Sequence, residues 1–330
     1  SPLGLGANGL VIAHVAASLV AATAAAFVVV RKYRFLGWPR TTLDPEIKKE
    51  TIKYTSPMAA MDSLNLLVAR VDIMLIGHFL NATSAGYYGI AVEIISVIKR
   101  VRQGFEPIFS PMVSDLFYRE KKGDLQRNYL IVTRWLMAGS LLPTLAIALF
   151  ATQILSMFSN KAVEAGAALI ILAISHGIFG SFSAAESLLI MTGRSFLNTV
   201  LAAGMLLINC LVSIPLIPKM GLAGAALGIL AAFLFATGAR IYQVYKHYQL
   251  HPFGSTLFWP MITGSVTLML FYTLSMLVTV NSLVEIILVF LGLLLFYVAF
   301  YFFGATEPEE RYLIGRLKNK ISREPAIENT

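Results

Sequence analysis

Apolar runs of twenty or more residues recur along this chain, and they limit its fold more than any other feature. A helix rising 1.5 Å per residue needs about 20 such residues to cross ~30 Å of hydrocarbon. About nine runs reach that length, near residues 9–30, 54–80, 85–113, 128–150, 163–191, 195–217, 221–245, 257–280 and 284–304. None alternates apolar and polar residues over short segments as barrel strands do, so the expected spans are helices, whose backbone groups bond internally. With 57% hydrophobic and 13% charged residues, a chain of 330 residues has too little polar surface for a soluble globular protein. The expected fold class is an all-α polytopic membrane protein.

Lys and Arg set the orientation. If the first run ends in the cytoplasm, nineteen of the 26 basic residues fall in cytoplasmic segments, and only Lys161 and Lys219 fall on the opposite side. That count includes Arg31, Lys32, Arg119, Lys122, Arg194 and Arg240. The net charge of +8 is thereby a topology signal rather than the mark of a nucleic-acid partner. The opening SPLGLGANGL has neither a charged n-region nor a cleavage site, so it reads as an extracytoplasmic loop, and a missing N-terminal part is expected. The single Cys210, inside an apolar run, excludes an internal disulfide framework.

The domain organisation follows from the loops. Residues 1–30 are one membrane helix, and 31–53 form a basic cytoplasmic loop interrupted by Pro39 and Pro45, where one helical bundle gives way to another. Residues 54–246 hold six runs joined by short loops, as antiparallel neighbours require. Residues 247–304 hold two further spans, and 305–330 form a charged cytoplasmic tail whose IGRLKNKI segment suits an amphipathic surface turn. Pro218 is expected to stop the sixth run of the chain. Gly224 and Gly228, at small-xxx-small spacing, let the next helix pack closely.

Few motifs survive a test of context. GLGANG at Gly4 to Gly9 matches a dinucleotide fingerprint but opens a membrane helix instead of following a strand, so it is read as chance. His14, His78, His176, His247 and His251 lack metal-ligand spacing, and no nucleophile arrangement is present; no metal and no catalytic residue is expected. Asn81 in NAT matters only in a glycosylating pathway. Tyr87, Tyr88, Tyr242, Tyr245 and Tyr248 sit near predicted membrane boundaries and read as interfacial anchors, with Tyr87 and Tyr88 as alternative cavity-mouth residues.

The second and third runs carry Asp62, Arg70, Asp72, Glu93, Lys99, Arg100, Arg102 and Glu106. Each such group at membrane depth costs at least a few kcal/mol unless paired or hydrated, about 2.5–3.5 kcal/mol on insertion scales. Helical spacing puts Asp62, Asn65, Ala69 and Asp72 on one broad side. It puts Lys99, Arg102 and Glu106 on one face of the next helix. At 1.5 Å per residue Arg70 lies ~24 Å from the inner edge of its helix and Glu93 ~12 Å from the outer edge of the next. An outer level of Arg70 with Glu93 is therefore expected, with an inner level of Asp62 with Lys99, Arg100 and Arg102. Either these are buried ion pairs that fix helix register, or they line a water-filled, net basic cavity for an anionic substrate. Four basic residues, with Arg134 in the following run as a fifth, favour the cavity. Pro107, Pro111, Pro143, Pro215 and Pro260 interrupt helices, as in transporters that bend during alternating access.

The segment SPMAAMDSLNLLVARVDIMLIGHFLNATSAGYYGIA, together with MTGRS and LLINCLVSIPLIPKMGLAGAALG, resembles the multidrug/oligosaccharidyl-lipid/polysaccharide exporter superfamily, in its branch of lipid-linked repeat-unit flippases. The resemblance runs from about Lys48 to Lys246. It implies two six-helix bundles around a V-shaped cavity with two extra C-terminal helices. Residues 1–30 would then be the last helix of the first bundle, 54–246 the complete second bundle, and 257–304 the extra pair. It further implies a bacterial cytoplasmic-membrane transporter, not an enzyme, with a cytoplasmic C-terminus. Its substrate would be a lipid-linked oligosaccharide diphosphate, held by Arg70, Lys99, Arg100, Arg102 and Arg134. Asp62, Asp72, Glu93, Glu106 and Glu186 would serve ion coupling or charge pairing, driven by a proton or sodium gradient without a cofactor. Membrane lipid and polysaccharide assembly proteins are the implied partners. A cation-coupled multidrug antiporter is the alternative, separated by an acidic, aromatic-lined cavity. A membrane glycosyltransferase or polymerase would need a larger soluble loop than any here.

Overall fold

Local chemistry sets the helix boundaries. A computed structural model of the protein describes residues 6–33, 44–254, 257–277, 291–292 and 294–299. The helices are α1 (Gly6–Tyr33), α2 (Pro45–Phe79), α3 (Ala82–Tyr118), α4 (Lys122–Leu149), α5 (Ala151–Ser156), α6 (Gly166–Ser181), α7 (Ala184–Met191), α8 (Ser195–Met220), α9 (Leu222–Tyr248) and α10 (Phe258–Leu277), with a 3-10 helix over Asn160–Ala165. Asn81 separates α2 from α3: its side-chain oxygen accepts the Ser84 backbone N–H at 2.7 Å, the usual service of Asn at an N-cap. Gly221, at φ +59°, ends α8 and turns the chain into α9.

Five helical segments are long and apolar enough to cross a membrane: Val15–Lys32, Lys122–Leu149, Asn160–Ser181, Ser195–Met220 and Leu222–Tyr248. At 35 and 37 residues, α2 and α3 are also longer than a bilayer is thick, but their ionisable residues keep them from reading as purely apolar. Phe196, Val200, Leu207 and Leu211 lie exposed along α8, a stripe suited to lipid and not to water. The protein is thus an all-helical, multi-pass membrane protein, with no strand among the described residues.

The chain divides into two units, Ser1–Lys53 and Tyr54–Thr330. In the first, α1 is exposed throughout Val15–Lys32. In the second, α3 packs on α4, α6 and α7, α6 on α4 and α9, and α9 on α8. The α2 helix joins this ring through buried Met61, Val68 and Ile76 and through polar bonds: the Thr199 hydroxyl of α8 donates to the Pro57 carbonyl at 2.7 Å, and Asp72 is held by α3 and α8. Two large apolar clusters fill the unit, one around Ile95, Leu169, Leu172 and Ala225, the other around Phe109, Tyr129, Leu188 and Val244, and a small third joins Met61 to Ile190 and Ala202.

Several expectations change. Residues 45–53, expected in the loop, begin α2. Run 163–191 is two helices, broken at Phe182 and Ser183. There the hydroxyls of Ser181 and Ser183 donate to the Gly177 and Gly180 carbonyls at 2.7 and 2.8 Å, competing with the helical ladder. Pro218 does not stop α8, which runs on to Met220, and Pro260 lies in the first turn of α10, where the missing N–H costs nothing. Residues 34–43 of the loop, most of run 284–304 and the tail 305–330 lie outside the described residues.

The α8–α9 contact depends on absent side chains. A Cβ at Gly224 would meet the Leu216 backbone, and one at Gly228 would strike the Ser213 hydroxyl and the Asn209 side chain. At Gly238, on the same helix, a Cβ would meet nothing within 4 Å. Gly228→Ala should therefore destabilise the protein by about 1–3 kcal/mol through overpacking. Gly238→Ala should be neutral or stabilising. Thermal unfolding of the two detergent-solubilised variants checks the contrast.

Candidate functional site

A cavity of about 280 Å³ opens inside the second unit, between α2, α3, α6, α8 and α9. The α2 helix contributes Asn65, Ala69 and Asp72, and α3 contributes Tyr88, Lys99, Arg102, Gln103 and Glu106. His176 and Phe179 of α6, Met205 of α8 and Phe233 of α9 close the far wall. Helical periodicity explains the grouping: Lys99, Arg102 and Glu106 stand at i, i+3 and i+7, so one stripe of α3 meets the space.

Asp72 is 3% exposed, and its partners are neutral. The Asn209 amide of α8 donates to one carboxylate oxygen at 2.8 Å, and the Tyr88 hydroxyl of α3 to the other at 3.3 Å. Ser213 in turn donates to the Asn209 carbonyl oxygen at 2.9 Å, which fixes the orientation of that amide. No cation stands within ion-pair distance of Asp72 among the described residues.

Glu186 is held differently. One carboxylate oxygen lies 3.0 Å from the Arg102 guanidinium and 3.1 Å from that of Arg240, with Glu186 and Arg240 side chains only 2–3% exposed. Arg102 also reaches Glu106 at 3.7 Å. The Asn198 amide donates to the Glu186 carbonyl at 3.2 Å and accepts from the Arg240 Nε at 3.3 Å. Both guanidiniums lie over the Phe179 ring, which is stacked on Phe233 at 4.3 Å. Arg102 is thus held rigidly while still lining the cavity.

The expected two-level pattern is corrected. Arg70, Glu93, Asp62 and Arg100 are exposed, and none of them lines the cavity; Arg70 and Glu93 form no ion pair with each other. The lining side of α2 is the Asn65–Ala69–Asp72 stripe, while Arg70 and Glu93 stay off the lining but near enough to Lys99 to act on its charge. Arg134 is buried on α4, apart from the cavity lining. Of the expected basic set, Lys99 and Arg102 reach the space, where Asp72 and Glu106 oppose them. The wall is therefore formally balanced rather than net basic. Tyr88 is fully buried, not an interfacial anchor, and Arg240 is buried rather than in a cytoplasmic loop. The signal that could have found Arg240 is its place inside run 221–245. His176 carried no pattern that marked it.

A cavity that carries charged side chains inside a bundle of apolar helices marks a multi-pass membrane protein with an interior site. Residues 2–161 match the model of the polysaccharide biosynthesis protein family. No curated protein sequence matches the chain.

The two buried carboxylates should respond differently to neutralisation. Glu186→Gln leaves the buried Arg240 guanidinium without a carboxylate, and Arg102 with Glu106 alone, and should cost about 3–5 kcal/mol. Asp72→Asn breaks no ion pair and should cost about 1–2 kcal/mol. Chemical or thermal unfolding of the full chain checks the difference, and equal losses would contradict it.

Proposed function

We propose that the protein is a flippase that carries a polyprenyl-diphosphate-linked oligosaccharide repeat unit across the bacterial cytoplasmic membrane by alternating access, for polysaccharide biosynthesis and export. The observation that carries this reading is the pair Lys99 and Arg102 on the wall of an intramembrane cavity, in a chain matching a polysaccharide biosynthesis family. Cations at membrane depth are retained where they line a pathway. The sugar diphosphate occupies the cavity while the polyprenyl tail stays in lipid. The chain transports without bond-making chemistry or a bound cofactor. A proton or sodium gradient drives the cycle through Asp72, whose carboxylate has amide and phenol partners but no fixed cation. Membrane lipid, the lipid-linked oligosaccharide and polysaccharide assembly proteins are the proposed partners, with no nucleic acid. The C-terminus lies in the cytoplasm.

One observation favours a second reading, a cation-coupled multidrug antiporter. Asp72 and Glu106 sit in the same wall as Phe179 and Phe233, a combination suited to an amphiphilic cation.

Lys99 separates the two. It is half-buried and has no carboxylate within 4.0 Å among the described residues, so replacing it orphans no partner. In cells that depend on the protein, Lys99→Gln should lower surface polysaccharide about tenfold, the effect of losing one charged hydrogen bond. The amount of protein in the membrane should be unchanged, and Lys99→Arg should restore export. Normal export by Lys99→Gln overturns the flippase reading; cation efflux that survives Lys99→Gln and fails in Asp72→Asn supports the antiporter.

A further inference from the structure

A second cavity, of about 500 Å³, lies at the end of the bundle where α3 and α9 finish and α4 begins. It shares no lining residue with the central cavity. Leu116, Leu125 and Leu250 give it an apolar floor, and the rings of Phe117, Tyr118 and Tyr248 form its wall. Lys122 and His247 stand on its lining, both exposed. Lys121, Arg194 and Lys246 adjoin them in sequence or space and add positive charge. The one carboxylate on the lining, Glu120, is followed directly by Lys121 and Lys122, so this edge stays net cationic.

The walls are fixed before any ligand arrives. The Tyr248 hydroxyl donates to Thr192 Oγ1 at 2.7 Å and accepts from Arg194 Nε at 3.1 Å. Its ring meets Phe117 edge-on at 5.6 Å. Gln126 ties α4 to the segment after α9, donating to the His251 carbonyl at 2.8 Å and accepting the His251 N–H at 3.1 Å. Glu120 and Gln249, each at φ 56°, turn the chain on two edges of the cavity. Gln249 does so as the C-cap of α9, its N–H donating to the Tyr245 carbonyl at 2.8 Å.

We infer that this cavity binds an anionic membrane phospholipid, with the phosphate against Lys122 and His247 and the first acyl carbons against the leucines and rings. A free anion would gain nothing from the apolar floor, and a zwitterionic lipid gains less from the cationic edge. Aromatic rings beside cations at the ends of membrane helices match the interfacial level of a bilayer, where head groups lie. The site is independent of what the central cavity carries.

Native mass spectrometry of the full chain in detergent, titrated separately with phosphatidylglycerol, phosphatidylcholine and inorganic phosphate, tests the inference. Phosphatidylglycerol should bind more tightly than phosphatidylcholine, and Lys122→Gln should weaken it about fivefold. His247→Gln should weaken it independently, which covers the case in which one variant folds poorly. Lys219→Gln, at the other end of α8, should bind as the wild type does. Equal affinity for the two lipids overturns the inference. So does unchanged binding by both variants, and so does saturation by inorganic phosphate that blocks the lipid.

Discussion

One carboxylate oxygen of Glu186 on α7 is shared by Arg102 of α3 and Arg240 of α9, and so ties three helices together at one point. It sits at the seam between the two apolar clusters. Ile98 belongs to one and Phe109 to the other along α3, as do Ala236 and Val244 along α9. Side chains that pack by shape alone could slide past one another at such a seam. An ion triad with fixed geometry cannot, because an unpaired buried charge is far costlier than a shifted methyl group. The break between α6 and α7 is what brings Glu186 there: a continuous helix would carry residue 186 onward in the direction of α6.

The second buried carboxylate is treated in the opposite way. Asp72 is satisfied by an amide and a phenol, a set that tolerates either protonation state or a visiting cation better than a guanidinium would. The protein therefore holds one structural carboxylate that is locked by charge and one cavity carboxylate that is not. Asp72 stands in the cavity between α2, α3, α6, α8 and α9, and Glu186 meets it from α7 through Arg102; the tight α8–α9 contact at Gly224 and Gly228 helps hold these helices together.

Much of this fold was legible because membrane helices are written in run length and hydropathy. The α3 stripe of Lys99, Arg102 and Glu106 followed from spacing alone, as did Asn65, Ala69 and Asp72 on α2, although Asp62, expected on the same side, is exposed and off the cavity. What periodicity cannot give is the direction in which a stripe points. Arg70 and Arg100 have the right charge and depth but face outward, and only the neighbouring helices decide that. Partners distant in sequence were also hidden. Asn209 lies 137 positions from Asp72, and the role of Arg240 depends on a helix break set by serines that look unremarkable in a hydrophobic run.

The formal balance of the cavity wall has an electrical consequence. With Asp72 and Glu106 against Lys99 and Arg102, the empty site carries no net charge, so changing its access from one face of the membrane to the other would do little work against the membrane potential. A charged guest ends that indifference at about 2.3 kcal/mol per elementary charge per 100 mV. For the carrier proposed above, that work would fall on the loaded step, and the empty return would move charge only where Asp72 exchanges a proton or cation.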